Sequence, residues 1–224
     1  MGLVLVIVTA IFWYTRGMKI LLIIVVMVIV WSIFGYFSSN VELAEYSILK
    51  KSDGYEIRHY APHIEAQTSI NGTYDEALSE GFRIIAGYIL GGNVKKESIA
   101  MTAPVTAQQS VSEKIAMTAP VLSSAQGDAR TISFVMPKKY TLDTLPTPND
   151  SRVKLVKVPA KKMAVLRFSW SRSADRVKNR EDRLLSLLAR DGIKTIGLPS
   201  YAGYSAPWTP PWMTHNEVMV EIAE

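Results

Sequence analysis

Few side chains in this 224-residue chain have chemical reach, and its three histidines carry most of it. His59 sits in YEIRHY, residues 55–60. His63 follows Pro62, and His215 lies in the aromatic, proline-rich run YAGYSAPWTPPWMTHN, residues 201–216. A neutral imidazole can ligate a metal or exchange a proton near neutral pH. Here none of the three stands in a His-Glu metal cluster or a Ser-His-Asp arrangement, and no glycine-rich phosphate loop occurs. The chain has no cysteine, which excludes disulfides, thiolate metal sites, a cysteine nucleophile and a lipoprotein-type anchor. Asp175, Glu181 and Asp182 alternate with Arg176, Arg180 and Arg183, as on a salt-bridged helix face. This inventory predicts a binding protein, not an enzyme.

Charge narrows the partners. Of 25 basic residues, Arg16 and Lys19 belong to the N-terminal region, which leaves 23 against 20 acidic residues in the remainder. That excess is small and contains no long basic run, so nucleic acid is not an expected partner. Hydrophobic residues make up 48% of the chain, enough for a substantial core.

The elements that must position these groups begin after an unusual start. Residues 20–37, ILLIIVVMVIVWSIFGYF, run for eighteen positions without a charge. As a helix they would extend about 27 Å, close to a hydrocarbon core. Trp31, Tyr36 and Phe37 lie toward one end, as interfacial aromatics do. The expectation is a single transmembrane anchor over 20–37. Arg16 and Lys19 would be held on the cytoplasmic side and the following domain placed on the extracytoplasmic side. Residues 1–19 then form an N-terminal extension, read as lying upstream of the true start, and 38–51 a linker. A single domain fills 52–224.

Within that domain, residues 55–60 alternate as a strand and 63–70 offer a second, so the pair reads as a hairpin. Thr73 and Glu76 form a capping box, and a helix follows to about Leu90 with Leu78, Phe82, Ile85 and Ile89 on one apolar face. Gly91-Gly92-Asn93 ends it. The heptad IAMTAPV then occurs twice, at 99–105 and 115–121, each copy a strand-end or edge segment because proline cannot donate to a ladder. Residues 130–136 read as a strand. The order then repeats: strands at 153–158 and 163–170, and a helix from Ser173 to about Arg190 with Val177, Leu184, Leu185 and Leu188 inward. A long aromatic loop over 201–216 and a last strand over 217–222 follow. Two copies of an α+β unit, packed with a cleft between them, are implied.

Several stretches together resemble the SOUL haem-binding family: YEIRHY, GFRIIAGYILGGN (81–93), IAMTAPV, FVMP and AGYSAPWTPPWMTHNEV (202–218). They follow that family's order and cover roughly 46–224, outside the N-terminal segment. The resemblance implies a distorted β-barrel of two pseudo-symmetric halves, each a helix on four strands. One heptad would form a strand beneath the pocket, its second copy being a local duplication. It also implies a ligand, haem or a related tetrapyrrole, held in a surface cleft. Phe82, Ile85, Ala86 and Ile89, with Tyr204, Trp208, Trp212 and Met213, would supply the apolar wall, and Arg83 or Lys95 a cation for a propionate. His59 occupies the place where one branch of the family has its proposed axial ligand, and His215 is a second candidate for the iron. Ser79 stands where some relatives carry a basic residue. The same architecture is similar to effector domains that hold small amphipathic molecules or lipids without a haem role.

Overall fold

The computed structural model describes residues 18–33, 42–95, 112–126, 129–206 and 208–223. Helix α1 covers residues 18–33. The first strands are β1 (Glu42–Leu43), β2 (Tyr46–Ser52), β3 (Tyr55–Tyr60) and β4 (His63–Asn71), followed by helix α2 (Tyr74–Ile89). Then come β5 (Asn93–Val94), β6 (Thr118–Ala119), β7 (Val121–Gln126), β8 (Ala129–Val135), β9 (Thr147–Pro148), β10 (Lys154–Val158) and β11 (Lys161–Phe168). Helix α3 (Ala174–Arg190), β12 (Thr195–Gly203), a 3-10 turn (Pro211–Met213) and β13 (Asn216–Ile222) complete the chain.

Nine strands form one curled sheet in the order β10-β4-β8-β7-β12-β13-β11-β3-β2. With the edge strand β2 left out, the order reads the same from both ends if β4 is exchanged for β11, β8 for β13, β7 for β12 and β10 for β3. The predicted duplication is therefore present, each half being a helix on four strands. Two details differ. Among the described strands β10 and β2 do not pair, so the sheet is an open half-barrel instead of a closed barrel. The predicted hairpin of 55–60 with 63–70 is also absent. Strand β3 pairs with β11 of the other half, and β4 pairs with β10 of the other half. Ala61-Pro62 and Pro159-Ala160 are the corners at which each chain leaves its own half. Proline's fixed φ and missing N–H suit a corner better than a two-residue hairpin.

Alternation sorts the layers. In β11, Ala164, Leu166 and Phe168 join Val177, Leu184 and Leu188 of α3 in one core, while Met163 and Val165 face the concave side with Tyr60, Ala202 and Met219. A second core sets Ile84, Ile85, Tyr88 and Ile89 of α2 against Ala66, Ile132 and Phe134 of β4 and β8. Both helices thus cover the convex face. The capping box is formed as expected: Glu76 N–H donates to the Thr73 hydroxyl at 3.4 Å, and Thr73 N–H to the Glu76 carboxylate at 3.0 Å.

Several strands were not expected from sequence, β2 and β12 among them. The linker 38–51 contains β2, an edge strand on β3. Residues 195–203 form β12, with a bulge between Ile196 and Ser200 around Gly197 (φ +70°) and Pro199. The proline and glycine hide the strand, and the bulge accommodates them.

The anchor expected over 20–37 is described only as far as residue 33, and among the described residues no helix is long and apolar enough to cross a membrane. Of the repeated heptads, 99–105 lies outside the described residues. In the second copy Thr118 and Ala119 form β6, paired in parallel with β1, and Val121 opens β7.

Candidate functional site

How α2 sits on the sheet decides where a ligand can go. The sequence places Leu78, Phe82, Ile85 and Ile89 in the core stripe. The structure buries Ala77, Gly81, Ile84, Ile85, Ala86, Tyr88 and Ile89. Gly81 is the cause: a Cβ there would stand 2.4 Å from Ile132 Cγ1, so glycine alone lets the helix approach β8 this closely. The stripe turns toward the 81/85 edge, and Phe82 is left 38% exposed on the flank, its ring 5.5 Å from that of Phe134.

With Leu78 and Ser79, Phe82 lines a cavity of about 620 Å³. The second heptad contributes Met117, Thr118, Ala119 and Val121; β8 contributes Phe134; the end of β12 and the loop after it contribute Tyr201, Gly203, Tyr204, Ser205, Ala206 and Trp208. Arg172 is the one charged side chain among these described lining residues. The volume lies within the range of small-molecule sites, and the lining is mainly apolar with a few polar groups. Such a surface suits a flat apolar body bearing an anionic edge.

Tyr204 ties the cavity to a buried polar network. Its hydroxyl donates to Glu217 at 2.7 Å, and its ring stacks on His215 at 4.1 Å between centroids. Glu217 is fully buried, accepts from Arg58 Nη1 at 3.1 and 3.0 Å, and meets His215 Nε2 at 2.7 Å. Burial alone would raise its pKa, but the His215 hydrogen bond, the Arg58 charge and the Tyr204 hydroxyl hold it below the ordinary carboxylate value. Burial and the neighbouring Glu217 charge push the Tyr204 phenol up, so it is a neutral donor. Arg58 also bonds Glu56 at 2.9 Å and Tyr60 at 3.2 Å. The network fixes the Tyr204 end of the cavity as a preformed wall.

Two other cavities differ in kind. One, of about 230 Å³ on the concave face, is lined by His63, Glu65, Gln67, Ser133, Lys161 and apolar neighbours including Met163 and Met219. Glu65 there accepts from Gln67 at 2.9 Å and meets His63 Nε2 at 3.0 Å. Another, of about 550 Å³, is lined by Glu42, Glu45, Lys138, Asp143 and Lys157 among others, charges poorly suited to a large apolar ligand.

Of the residues predicted as a ligand wall, Phe82, Tyr204 and Trp208 come together in the 620 Å³ cavity. Ile85, Ala86 and Ile89 are core residues beneath α2 instead, because of the turned stripe. Trp212 packs edge-on against Trp31, with ring centroids 5.5 Å apart, and Met213 belongs to the same 3-10 turn. Neither is among the lining residues. Arg83 bonds Glu80 at 2.9 and 2.6 Å on the exposed side of α2, and Lys95 is exposed; both are also outside the lining set. His59 stands opposite Lys162 on β11 and Ser47 on β2, on the same face of β3 as Tyr55 and Ile57, and is not a lining residue. His215 is not a lining residue, and touches the site through its stack with Tyr204 and its backbone N–H, which donates to the Ser205 hydroxyl at 2.8 Å.

Sequence reasoning missed Arg172. One signal was available: a cation directly before the N-cap Ser173 opposes the helix dipole, so its position serves something other than helix stability. It missed Glu217 as well, since an alternating strand places a glutamate in water.

A family model described as "SOUL heme-binding protein" matches residues 41–221. Heme-binding protein 2 of Homo sapiens is 32% identical over 156 residues, which cover 68% of this chain and 71% of that protein. Heme-binding protein 2 of Mus musculus is 32% identical over 158 residues, with coverage of 69% and 71%. Among solved structures, the EcmrR C-terminal domain aligns with a TM-score of 0.53 at 8% identity, covering 80% of this chain and 98% of that one. That likeness concerns the fold alone. The matched region contains all but the last residue of the nine-stranded sheet, both helices on it and the cavity between α2 and the late loop: this chain belongs to the SOUL heme-binding protein family.

Proposed function

We propose that the chain binds haem or a related tetrapyrrole without catalysing a reaction on it. The ligand would occupy the cavity between α2 and the 203–208 loop, to be buffered or transferred near a membrane. The observation that carries this reading is the cavity itself. About 620 Å³ of mainly apolar space is lined largely by residues from the SOUL-like stretches, with Arg172 as its cation. Family membership supports haem as the class of ligand. The macrocycle would lie against Phe82, Leu78, Phe134 and Trp208, and Arg172 would meet a propionate. Met117, Tyr201 and Tyr204 are the lining side chains with a sulfur or phenol oxygen of the kind haem iron accepts, and both hydroxyls are already committed, Tyr201 to Asn216 and Tyr204 to Glu217. Haem bound here would be held mainly by apolar contact and one ion pair, without His59 as a ligand. Bound haem supplies an absorption band sensitive to its surroundings, which makes a titration of the full chain with haemin the direct test. A saturable Soret shift supports the reading, and an unchanged spectrum across a micromolar range removes it.

Attachment to a membrane through the apolar 20–37 segment is part of the proposal. It is supported by that segment's composition and by the exposure of its described residues. The positions of Arg16 and Lys19 favour an extracytoplasmic domain.

A second reading, an effector-type module for small amphipathic molecules or lipids, is favoured by the separate concave cavity with its buried Glu65. Saturable binding of a hydrophobic cation, weakened by Glu65→Gln and insensitive to haemin, would favour it over the first.

A further inference from the structure

Four of the chain's five tryptophans gather at one end of the molecule. Trp31 of α1 donates its indole N–H to the Trp208 carbonyl at 2.8 Å and sets its ring against Trp212. The Trp170 backbone N–H donates to the Pro211 carbonyl at 3.0 Å, which ties it to the same turn. Trp31, Trp170, Trp208 and Trp212 remain 42–54% exposed, far more than tryptophans serving as core. Trp208 is also a wall of the 620 Å³ cavity, so this cluster stands at the cavity's edge.

Helix α1 emerges from the same point. Apart from Lys19 and Ser32 its described residues are apolar, and nearly all are exposed around the full circumference. A helix in water carries a polar face, and a helix lying in a protein groove has one covered face. This helix has neither. A second protein surface could cover only one side of it, whereas hydrocarbon surrounds it completely. Indole, apolar with one donor, prefers the headgroup boundary of such a layer.

We propose that the tryptophan end is seated in the headgroup layer of a phospholipid bilayer with α1 inserted in the hydrocarbon. The cavity edge at Trp208 then opens at the bilayer surface, and the cavity exchanges its apolar ligand with lipid, not with water. The inference rests on the membrane attachment proposed above and is independent of which ligand the cavity holds. It requires insertion of α1 up to Trp31, and the sixteen described helical residues extend about 24 Å into the hydrocarbon.

The test uses the full chain reconstituted with phosphatidylcholine vesicles, in variants that retain Trp208 or Trp212 as the sole tryptophan and carry phenylalanine at the others. Phosphatidylcholines brominated near the headgroup should quench both tryptophans strongly. Chain-end bromines should quench them weakly, and aqueous iodide hardly at all. Trp170→Glu with Trp212→Glu should reverse this order for Trp208 while the protein stays on the vesicles. In a second arm, transfer of protoporphyrin IX from vesicles should accelerate with vesicle concentration, as a collisional route requires. Iodide quenching of Trp208 and Trp212 in vesicle-bound native protein would overturn the proposal. So would the same emission shielded in a dimer without lipid, or a transfer rate independent of vesicle concentration. A protein that binds no porphyrin at all would defeat the tetrapyrrole reading and leave the quenching result to decide this one.

Discussion

Replacing Arg58 by methionine tests whether the buried network is held by charge. In the native protein its guanidinium meets both oxygens of Glu217, a fully buried carboxylate. Methionine keeps much of the apolar stem and removes the cation. Glu217 would retain the Tyr204 hydroxyl and its contact with His215 but lose the guanidinium charge. Breaking a buried pair from one side costs about 3–5 kcal/mol, because a charge is left uncompensated. For a domain of this size each kcal/mol shifts the melting midpoint by about 2–4 °C, so the variant should melt roughly 6–20 °C lower. The double variant Arg58→Met, Glu217→Leu should recover most of that loss, since both charges are then gone.

The pH dependence has a fixed sign. Glu217 has a lowered pKa in the fold, so its stabilisation is fully present above the unfolded value of 4.5 and is lost as pH falls through the folded value. Without Arg58 the folded value rises, and the variant's deficit should be largest at pH 7 and shrink toward pH 4. Urea unfolding of both proteins at the two pH values, followed by tryptophan fluorescence, measures this. A deficit below about 1 kcal/mol at pH 7, or one that is the same at both pH values, would refute the charged-network account.

Further consequences follow from other contacts. Gly81→Ala should destabilise by about 1–3 kcal/mol despite alanine's better helix propensity, because the new methyl meets Ile132; thermal denaturation reads the sign directly. His63 is raised by its hydrogen bond to Glu65 and by the Ala61 carbonyl, against burial, which lowers it. Its stabilisation is present below the unfolded value of 6.5 and is lost as pH rises through the folded value, so His63→Gln should flatten the fall in denaturant midpoint above pH 6.5. Arg172→Ala should weaken protoporphyrin IX binding by roughly tenfold, as loss of one charge-assisted contact implies, and leave the dimethyl ester unaffected. Comparing the two ligands by fluorescence titration separates charge from shape.

Local patterns made much of the architecture legible. The capping box at Thr73 and Glu76, the stripe of α3 and the repeated order of strands and helix all correspond to elements of the structure. What escaped was set by distant partners. The strand exchange at Ala61-Pro62 and Pro159-Ala160 depends on which half each strand completes, which no local period records. The turned stripe of α2 follows from Gly81 meeting Ile132 on a strand some fifty residues away. For the site, aromatic residues in family-like stretches pointed to Phe82, Tyr204 and Trp208, which line one cavity. They could not show that Ile85, Ala86 and Ile89 are spent on the core, nor that Trp212 turns to Trp31. Glu217 looked like a solvent residue because its charge is balanced by Arg58, 159 positions earlier.

The central claim is that haem occupies the cavity between α2 and the late loop. Ser79 is an exposed α2 residue that lines this cavity, so Ser79→Trp would fill the space without disturbing the core. The decisive measurement is a haemin titration of the full chain, read at the Soret band, for the native protein, Ser79→Trp and His59→Ala. The account predicts a saturable shift for the native chain and for His59→Ala, and none for Ser79→Trp at unchanged melting temperature. Native-like binding by Ser79→Trp, or loss of binding in a folded His59→Ala, would contradict it.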